Sequence, residues 1–166
     1  MNQAIDKIPS KLKKTPVGIT LLASDSQPQG KRIRYEPETF KNVVGYWTEV
    51  DDWVQWSMQV PKSGAYRVEL HCGCGSGNGG SMVDVEIESP KTSADNADDK
   101  SGSTQVQTQT LEWKVRDTGH FQNIVIEPLG VVQLEAGAGR LRVKPKTKAA
   151  AAVADIREVH LIPIGD

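Results

Sequence analysis

The chain has 166 residues, a length that fits one domain around a single core. Its 20 basic and 21 acidic side chains give a net charge of -1, which excludes the concentrated positive field that nucleic-acid or anionic-membrane binding requires. No stretch approaches the roughly 20 apolar residues that span a bilayer, while fifteen glycines and nine prolines favour many turns between strands.

Residues 1–16 are polar, basic and aperiodic, so we expect a flexible arm ahead of a domain over residues 17–166. The arm has no apolar centre of the kind a signal peptide needs. The chain is therefore expected either to stay in the cytoplasm or to have lost a signal segment. Cys72 and Cys74 alternate with glycine at a strand end, where residues two apart are poorly placed to bridge each other. We expect inert thiols in preference to a redox or metal role.

Alternating apolar and polar residues predict strands along most of the domain. The pattern runs in chain order through DDWVQWSMQV, AYRVELHC, MVDVEIE, TLEWKVR and GRLRVKP. Successive side chains of a strand point to opposite faces, so each segment offers one apolar face to a core. Between the third and fourth segments, residues 89–103 are polar and are expected to form a flexible surface loop. The last segment, VADIREVHLIPI, is rich in β-branched residues and is expected to close an all-β sandwich.

The glycine-rich segment GCGSGNGG has the GxGxxG spacing at Gly75, Gly77 and Gly80. A dinucleotide site needs a helix after these glycines, whereas a strand follows here, so the segment is expected to connect two strands. The adjacent acids Asp51 and Asp52 are expected to be solvated rather than to serve acid–base chemistry.

Three histidines, His71, His120 and His160, are scattered through the chain and lack the spacing of a metal-ligand set. None of them neighbours a serine or cysteine in a nucleophilic arrangement. The sequence therefore predicts no enzymatic activity and no catalytic cofactor.

The few aromatic residues supply candidate binding positions. Trp53 falls on the polar face of its strand, where its ring could stack on a sugar while neighbouring amides and hydroxyls bind the sugar hydroxyls. Alternatively, a loop or the N-terminal arm covers this ring. Tyr46, Trp47 and Phe121 lie near predicted loops and form a second candidate group.

Taken in order, the segments IRYEPETF, VVGYWTEVDDWVQWSMQVPKSGAYRVEL, RDTGHFQNI, GVVQLEAGAGRLRVKP and ADIREVHLIP resemble family 6 and family 35 carbohydrate-binding modules. GCGSGNGGSMVDVEI, RDTGHFQN and KPKTKAAAAVADIREVHL look like a domain at the C-terminus of many bacterial arylsulfatases. The resemblance covers about residues 17–164. It implies a galactose-binding-like jelly-roll sandwich that binds a polysaccharide or glycan as a non-catalytic accessory module. The parent would be a secreted carbohydrate-active enzyme or sulfatase, periplasmic or extracellular.

The resemblance also implies positions for the ligands. Tyr46 and Phe121 match the two aromatic residues that hold the sugar. Trp47 and Trp53 remain candidates from their places in the sequence pattern, and the neighbours His120, Gln122 and Asn123 are expected to supply hydrogen bonds. Glu36 and Asp155 match ligands of a structural calcium ion.

Three positions depart from the family pattern. Arg34 stands where the first calcium-binding glutamate falls, and a cation there would repel calcium, so Arg34 is expected to form a salt bridge with Glu36 or Asp155. Phe121 stands in place of a tryptophan, and Val153 in place of an asparagine.

A second function stays open on the sequence alone. The chain could be a structural domain that docks on a partner enzyme or on a second copy of itself and binds no sugar. In that case Trp53 and its polar neighbours would be buried against another subunit.

Overall fold

The computed structural model describes residues 18–91 and 105–165. Eleven strands follow one another in the order β1 (Ile19–Leu22), β2 (Gln27–Gln29), β3 (Arg34–Glu36), β4 (Val43–Gly45), β5 (Trp53–Val60), β6 (Gly64–Gly73), β7 (Met82–Pro90), β8 (Val106–Lys114), β9 (Val125–Leu134), β10 (Gly137–Pro145) and β11 (Asp155–Pro163). The arm predicted at 1–16 lies outside the described residues. So does the predicted loop from residue 92 onwards, whereas Ser89 and Pro90 continue β7 and pair with β8.

The strands form two antiparallel sheets, and this confirms the predicted all-β sandwich. The first sheet has the order β3-β4-β11-β6-β9, and β1 also pairs with β11. Strand β4 contacts β11 at Ile156, whereas β1 contacts its residues 158–161, so two short strands share one edge of a long one. The second sheet has the order β2-β5-β10-β7-β8. Among residues 18–91 and 105–165, no helix is long and apolar enough to cross a membrane.

The core lies between the sheets and is built by the alternation seen in the sequence. Every second residue of β5, β6 and β7 is buried, including Trp56, Tyr66 and Ile87, and β10 buries Leu141 and Val143. Each fully buried aliphatic or aromatic side chain of this size contributes about 1.5–3 kcal/mol relative to an exposed one. The buried residues repeat with the strand period of two. The sequence pattern therefore predicted which face of each strand points to the core.

Four connections gather at one end of the sandwich: residues 46–52, 74–81, 115–124 and 146–154. Backbone hydrogen bonds tie them to one another, from Val153 N to Trp47 O (2.9 Å) and from Thr118 N to Cys74 O (3.0 Å). The Asn78 side chain accepts the N–H groups of Ala151 and Ala152. The glycine-rich segment is one of these connections between strands, as predicted. We call the region the loop end.

The cysteines at the start of this glycine-rich connection are both free and buried. Burial raises the pKa of the Cys72 thiol to about 12 and that of Cys74 to about 11. Because the thiolate is the reactive form, both side chains remain protonated and unreactive at neutral pH.

Asp52 corrects the expectation of a solvated acidic pair, since only Asp51 is exposed. The Asp52 carboxylate is buried and accepts the backbone N–H groups of Lys31, Arg32 and Ile33 at 2.9–3.0 Å. Burial pushes the Asp52 pKa up, but these three hydrogen bonds outweigh it and lower the pKa. The turn before β3 is therefore organised around one buried carboxylate.

Candidate functional site

A cavity of about 230 Å³ opens at the loop end. Six positions singled out by the sequence line it: Glu36, Tyr46, Trp47, Phe121, Gln122 and Asp155. Lys41, Thr48 and Ala152 complete the lining. The structure thus brings together aromatic and acidic positions that are far apart in the chain.

Tyr46 is the most exposed of the predicted aromatic residues, with 48% of its surface accessible. Its backbone is left-handed, with a φ of 53°, a conformation that costs a non-glycine residue about 1–3 kcal/mol. The Arg34 guanidinium lies 3.7 Å from the centroid of the tyrosine ring. The salt bridge expected between Arg34 and Glu36 or Asp155 is therefore wrong: Arg34 stacks on Tyr46 instead.

Phe121 reaches the cavity from the connection between β8 and β9. Thr118 anchors this connection, because its hydroxyl accepts the Cys74 N–H at 2.9 Å and its carbonyl accepts the Asn123 side-chain amide at 2.7 Å. The Phe121 ring lies so close to Gly75 that a Cβ at that position would overlap it. A glycine of the predicted GxGxxG spacing thus makes room for a cavity-lining ring.

His120 and Asn123, predicted to bind sugar, do not line the cavity. Both are exposed, and their polar atoms satisfy the loop itself, since His120 Nδ1 accepts the Gln122 N–H at 3.0 Å. The Asn123 side-chain amide donates a hydrogen bond to the Thr118 carbonyl. These two residues shape the loop that presents Phe121 and Gln122.

Trp47 is buried, with only 1% of its surface accessible, and its indole N–H donates to the Asp52 carbonyl at 2.8 Å. It therefore belongs to the core beneath the cavity and offers no free face for stacking, contrary to the expectation from the sequence. Its neighbour Thr48 carries a buried hydroxyl without a hydrogen-bond partner in the described part of the chain.

Trp53 lies away from this cavity, on the outward face of β5 in the second sheet. The Lys144 ammonium stands 5.1 Å from the centroid of its ring. A separate, polar depression of about 270 Å³ borders it, lined also by Asp51 and Asp52. The structure therefore does not unite Trp53 with Tyr46 and Phe121 in one site.

Glu36 and Asp155 form a buried carboxylate pair at the floor of the cavity, each with 6% of its surface accessible. Both approach Gly45, where a Cβ would overlap Glu36 Oε1 and lie 3.0 Å from Asp155 Oδ1. Burial, and then repulsion from Glu36, raise the pKa of Asp155 to about 7, although Lys41 and Arg157 oppose the shift. Lys41 Nζ donates to Glu36 Oε2 at 2.7 Å, and this hydrogen bond raises the lysine pKa.

The calcium ion implied by the resemblance does not fit these residues. Calcium takes six to eight oxygen ligands, whereas an ammonium group offers three donors and no acceptor. Lys41 places such a group directly on Glu36. The sequence pattern gave no hint of Lys41, because the residue lies on the turn between β3 and β4 and has no strand phase to read.

Comparison with known proteins tests the fold independently. No family model matches the sequence, and neither does any curated protein. Solved structures do match. A family 35 carbohydrate binding module from Clostridium thermocellum is 14% identical with a TM-score of 0.58, covering 90% of this chain and 100% of that one. The C-terminal family 6 module of LamC, a marine laminarinase from Zobellia galactanivorans, is 17% identical with a TM-score of 0.61, covering 88% and 99%.

A third match, the family 35 module of Abf62 from Cellvibrio japonicus, is 13% identical with a TM-score of 0.59, covering 90% of this chain and 95% of that one. The chain has the fold of carbohydrate-binding modules. Because each of these modules is covered almost completely, the carbohydrate-binding-module fold accounts for the sandwich as a whole. At such low identity the likeness concerns the fold, and the ligand has to be argued from the cavity.

Proposed function

We propose that this chain is a non-catalytic carbohydrate-binding module that holds a glycan in the loop-end cavity. The observation that carries the proposal is Tyr46, a half-exposed ring held in a strained backbone conformation at a cavity also lined by Phe121. Backbone strain of this kind concentrates at ligand sites, where the surrounding structure maintains it. An aromatic face beside polar groups is suited to a sugar, whose C–H patches stack while its hydroxyls form hydrogen bonds.

Neighbouring groups hold both aromatic rings of the cavity in place. Arg34 covers one side of the Tyr46 ring, and the backbone of Gly75 supports the Phe121 ring. Rings that are already fixed lose little conformational freedom on binding, which favours affinity. The Gln122 amide and the Lys41 ammonium are among the groups on the cavity wall that can donate to sugar hydroxyls.

The same groups argue against catalysis. Glycoside hydrolysis uses two carboxyl groups that both face the scissile bond, one of them free to give a proton. Here Glu36 is held by Lys41, and Asp155 is buried against Glu36 at the floor of the cavity. The matching solved structures, which are named as carbohydrate-binding modules, support a binding role as well.

For the parent protein we propose a secreted carbohydrate-active enzyme or a sulfatase that carries this domain as an accessory. This proposal is supported by a sequence resemblance. The glycine-rich segment, the segment RDTGHFQN and the C-terminal segment resemble a domain found at the C-terminus of bacterial arylsulfatases. We also propose that Lys41 takes the place of the structural calcium ion. Its ammonium supplies a positive charge to the Glu36–Asp155 pair from within the chain.

Affinity electrophoresis in gels containing a panel of polysaccharides, supported by a glycan array, tests the proposed cavity. Tyr46→Ala and Phe121→Ala should each weaken binding about tenfold, since each removes apolar ring surface that the sugar buries and a loss of about 1.4 kcal/mol is a factor of ten. Trp53→Ala is the matched control, because this tryptophan lies outside the cavity and should keep wild-type retardation. Unchanged binding in both cavity variants, or a loss confined to Trp53→Ala, would place the sugar elsewhere.

A further inference from the structure

The outer face of the first sheet carries a cluster of histidine and carboxylate side chains that the loop-end cavity does not include. His71 on β6 is the cross-strand partner of Glu158 on β11, and His160 lies two residues further along β11. Residues two apart on a strand share a face. The antiparallel register therefore places His71, Glu158 and His160 side by side on the face turned away from the core.

The three side chains are close together and half-buried. The imidazole rings of His71 and His160 stack with centroids 4.2 Å apart and an interplanar angle of 9°. His160 Nε2 lies 3.1 Å from Glu158 Oε1. One nitrogen or oxygen from each residue lies within 4.8 Å of those from the other two.

We propose that His71, Glu158 and His160 form a binding site for a divalent transition-metal ion, with zinc as the best match. Two imidazole nitrogens and one carboxylate oxygen are a common zinc ligand set that leaves a fourth position open. Imidazole ligands also favour zinc over magnesium and calcium, which prefer oxygen alone. The outward orientation of the cluster leaves the fourth position to water or to a group on a partner.

The ligand atoms are near one another but have to draw closer to hold the ion. Zinc–nitrogen bonds of about 2.0–2.1 Å in a tetrahedral site place two ligand atoms about 3.3 Å apart. The ligand atoms already lie within 4.8 Å of one another. To bind the ion, the two rings have to leave their parallel stack and each turn one nitrogen toward it by rotation about the side-chain torsions.

The neighbours of the cluster are an ion pair and two apolar side chains. Glu69 is the cross-strand partner of His160, and Arg67 balances the charge of its carboxylate at 3.0 Å. Leu22 on β1 and Ile126 on β9 continue the same row of side chains on either side of Glu158 and His71. Both side chains are apolar and exposed, so neither offers a further ligand atom to the ion.

Isothermal titration of the untagged full chain with zinc chloride tests this proposal. We expect one zinc ion per chain, with affinity lowered roughly tenfold or more in His71→Ala and in His160→Ala, the range seen when metal sites lose a coordinating or supporting group. His120→Ala is the matched control, since this exposed histidine lies outside the cluster and its removal should leave zinc affinity unchanged. Absence of zinc binding, wild-type affinity in either cluster variant, or an equal loss in His120→Ala would overturn the proposal.

Two further measurements keep the test independent of folding. Far-ultraviolet circular dichroism and thermal melting confirm that each variant is folded, and His71→Gln serves in place of His71→Ala where alanine destabilises the sheet. In the wild-type chain, zinc should shift the imidazole nitrogen resonances of His71 and His160 and leave those of His120 in place. Shifts confined to His120, or spread equally over all three histidines, would contradict the site. Glycan binding plays no part in these readouts, so they are separate from the test of the sugar cavity.

Discussion

Two buried aspartates show how the surroundings of a single side chain decide its ionisation. Asp52 accepts three backbone N–H groups, and these hydrogen bonds lower its pKa despite burial. Asp155 is buried beside Glu36, so burial and like charge raise its pKa to about 7. Asp52 therefore stabilises the fold as an anion at neutral pH, whereas ionisation of Asp155 opposes folding.

The raised pKa of Asp155 leads to a prediction about stability and pH. The ordinary value is 3.8 and the folded value about 7, so between these the folded chain holds a proton that the unfolded chain releases. The free energy of unfolding should therefore fall as pH rises through this window, by up to about 1.4 kcal/mol per pH unit. In Asp155→Asn this contribution should vanish, which urea denaturation at pH 5, 6, 7 and 8 measures. Asp51→Asn, at an exposed position, is the control; slopes that are parallel in wild type and Asp155→Asn would contradict the assignment.

At the level of residues, the sequence predicted the aromatic positions, Gln122 and the two carboxylates of the cavity, but not the lysine beside them or the histidine cluster. Tyr46 and Phe121 could be proposed because they stand in recognisable segments, and both line the cavity. Lys41 and the His71–His160 cluster could not. Lys41 lies in a turn, which has no strand phase to read, although its partner Glu36 is only five residues away. Only the pairing of β6 with β11 brings the histidines together. Trp47 was expected to bind sugar but is buried, because a position near a predicted loop does not indicate whether the side chain is exposed.

At the level of elements, alternation predicted which faces are buried, but it does not specify the order of the strands. Strand β11 shows why: its first residues pair with β4 and its later ones with β1, and a bulge after Ile156 separates the two parts. The pairing of both β4 and β1 with β11 depends on tertiary contacts, and no periodic pattern in the sequence indicates it. The loop end is equally non-local, since its hydrogen bonds join four connections.

The glycine-rich connection leads to a prediction about how this element positions the cavity. A Cβ at Gly75 would overlap the Phe121 ring, and the Gly75 backbone is outside the left-handed region that restricts side chains. Gly75→Ala should therefore displace the ring, weaken glycan binding about as much as Phe121→Ala, and lower the free energy of unfolding by about 1–3 kcal/mol through overpacking. Affinity electrophoresis and thermal melting measure the two effects.

Ser76→Ala is the control for this substitution, because Ser76 is the exposed neighbour of Gly75. It should behave as wild type in both measurements. Wild-type glycan binding in Gly75→Ala would show that the position of the Phe121 ring does not determine affinity.

At the level of the whole molecule, the sandwich separates its two proposed sites. The sugar cavity is formed by connections at one end, while the histidine cluster lies on the outer face of central strands. Loops can vary in sequence without disturbing the sheets that support them. The two sites can therefore be altered one at a time, which makes their tests independent.

The stability of the whole sandwich should not depend on calcium, because the chain carries its own cation at the floor of the cavity. Lys41 joins the turn after β3 to Glu36, and its charge also acts on Asp155 at the start of β11. Starting from metal-free protein, calcium chloride should leave the melting temperature of the wild-type chain unchanged. In Lys41→Gln the two carboxylates lose their counter-charge, so the melting temperature should fall and should then rise again with calcium, since binding to the folded state alone stabilises it.

Lys62→Gln, at an exposed position in the turn before β6, should show neither effect. Calcium-dependent melting of the wild-type chain, or the same melting temperature for Lys41→Gln with and without calcium, would show that Lys41 does not stand in for the ion.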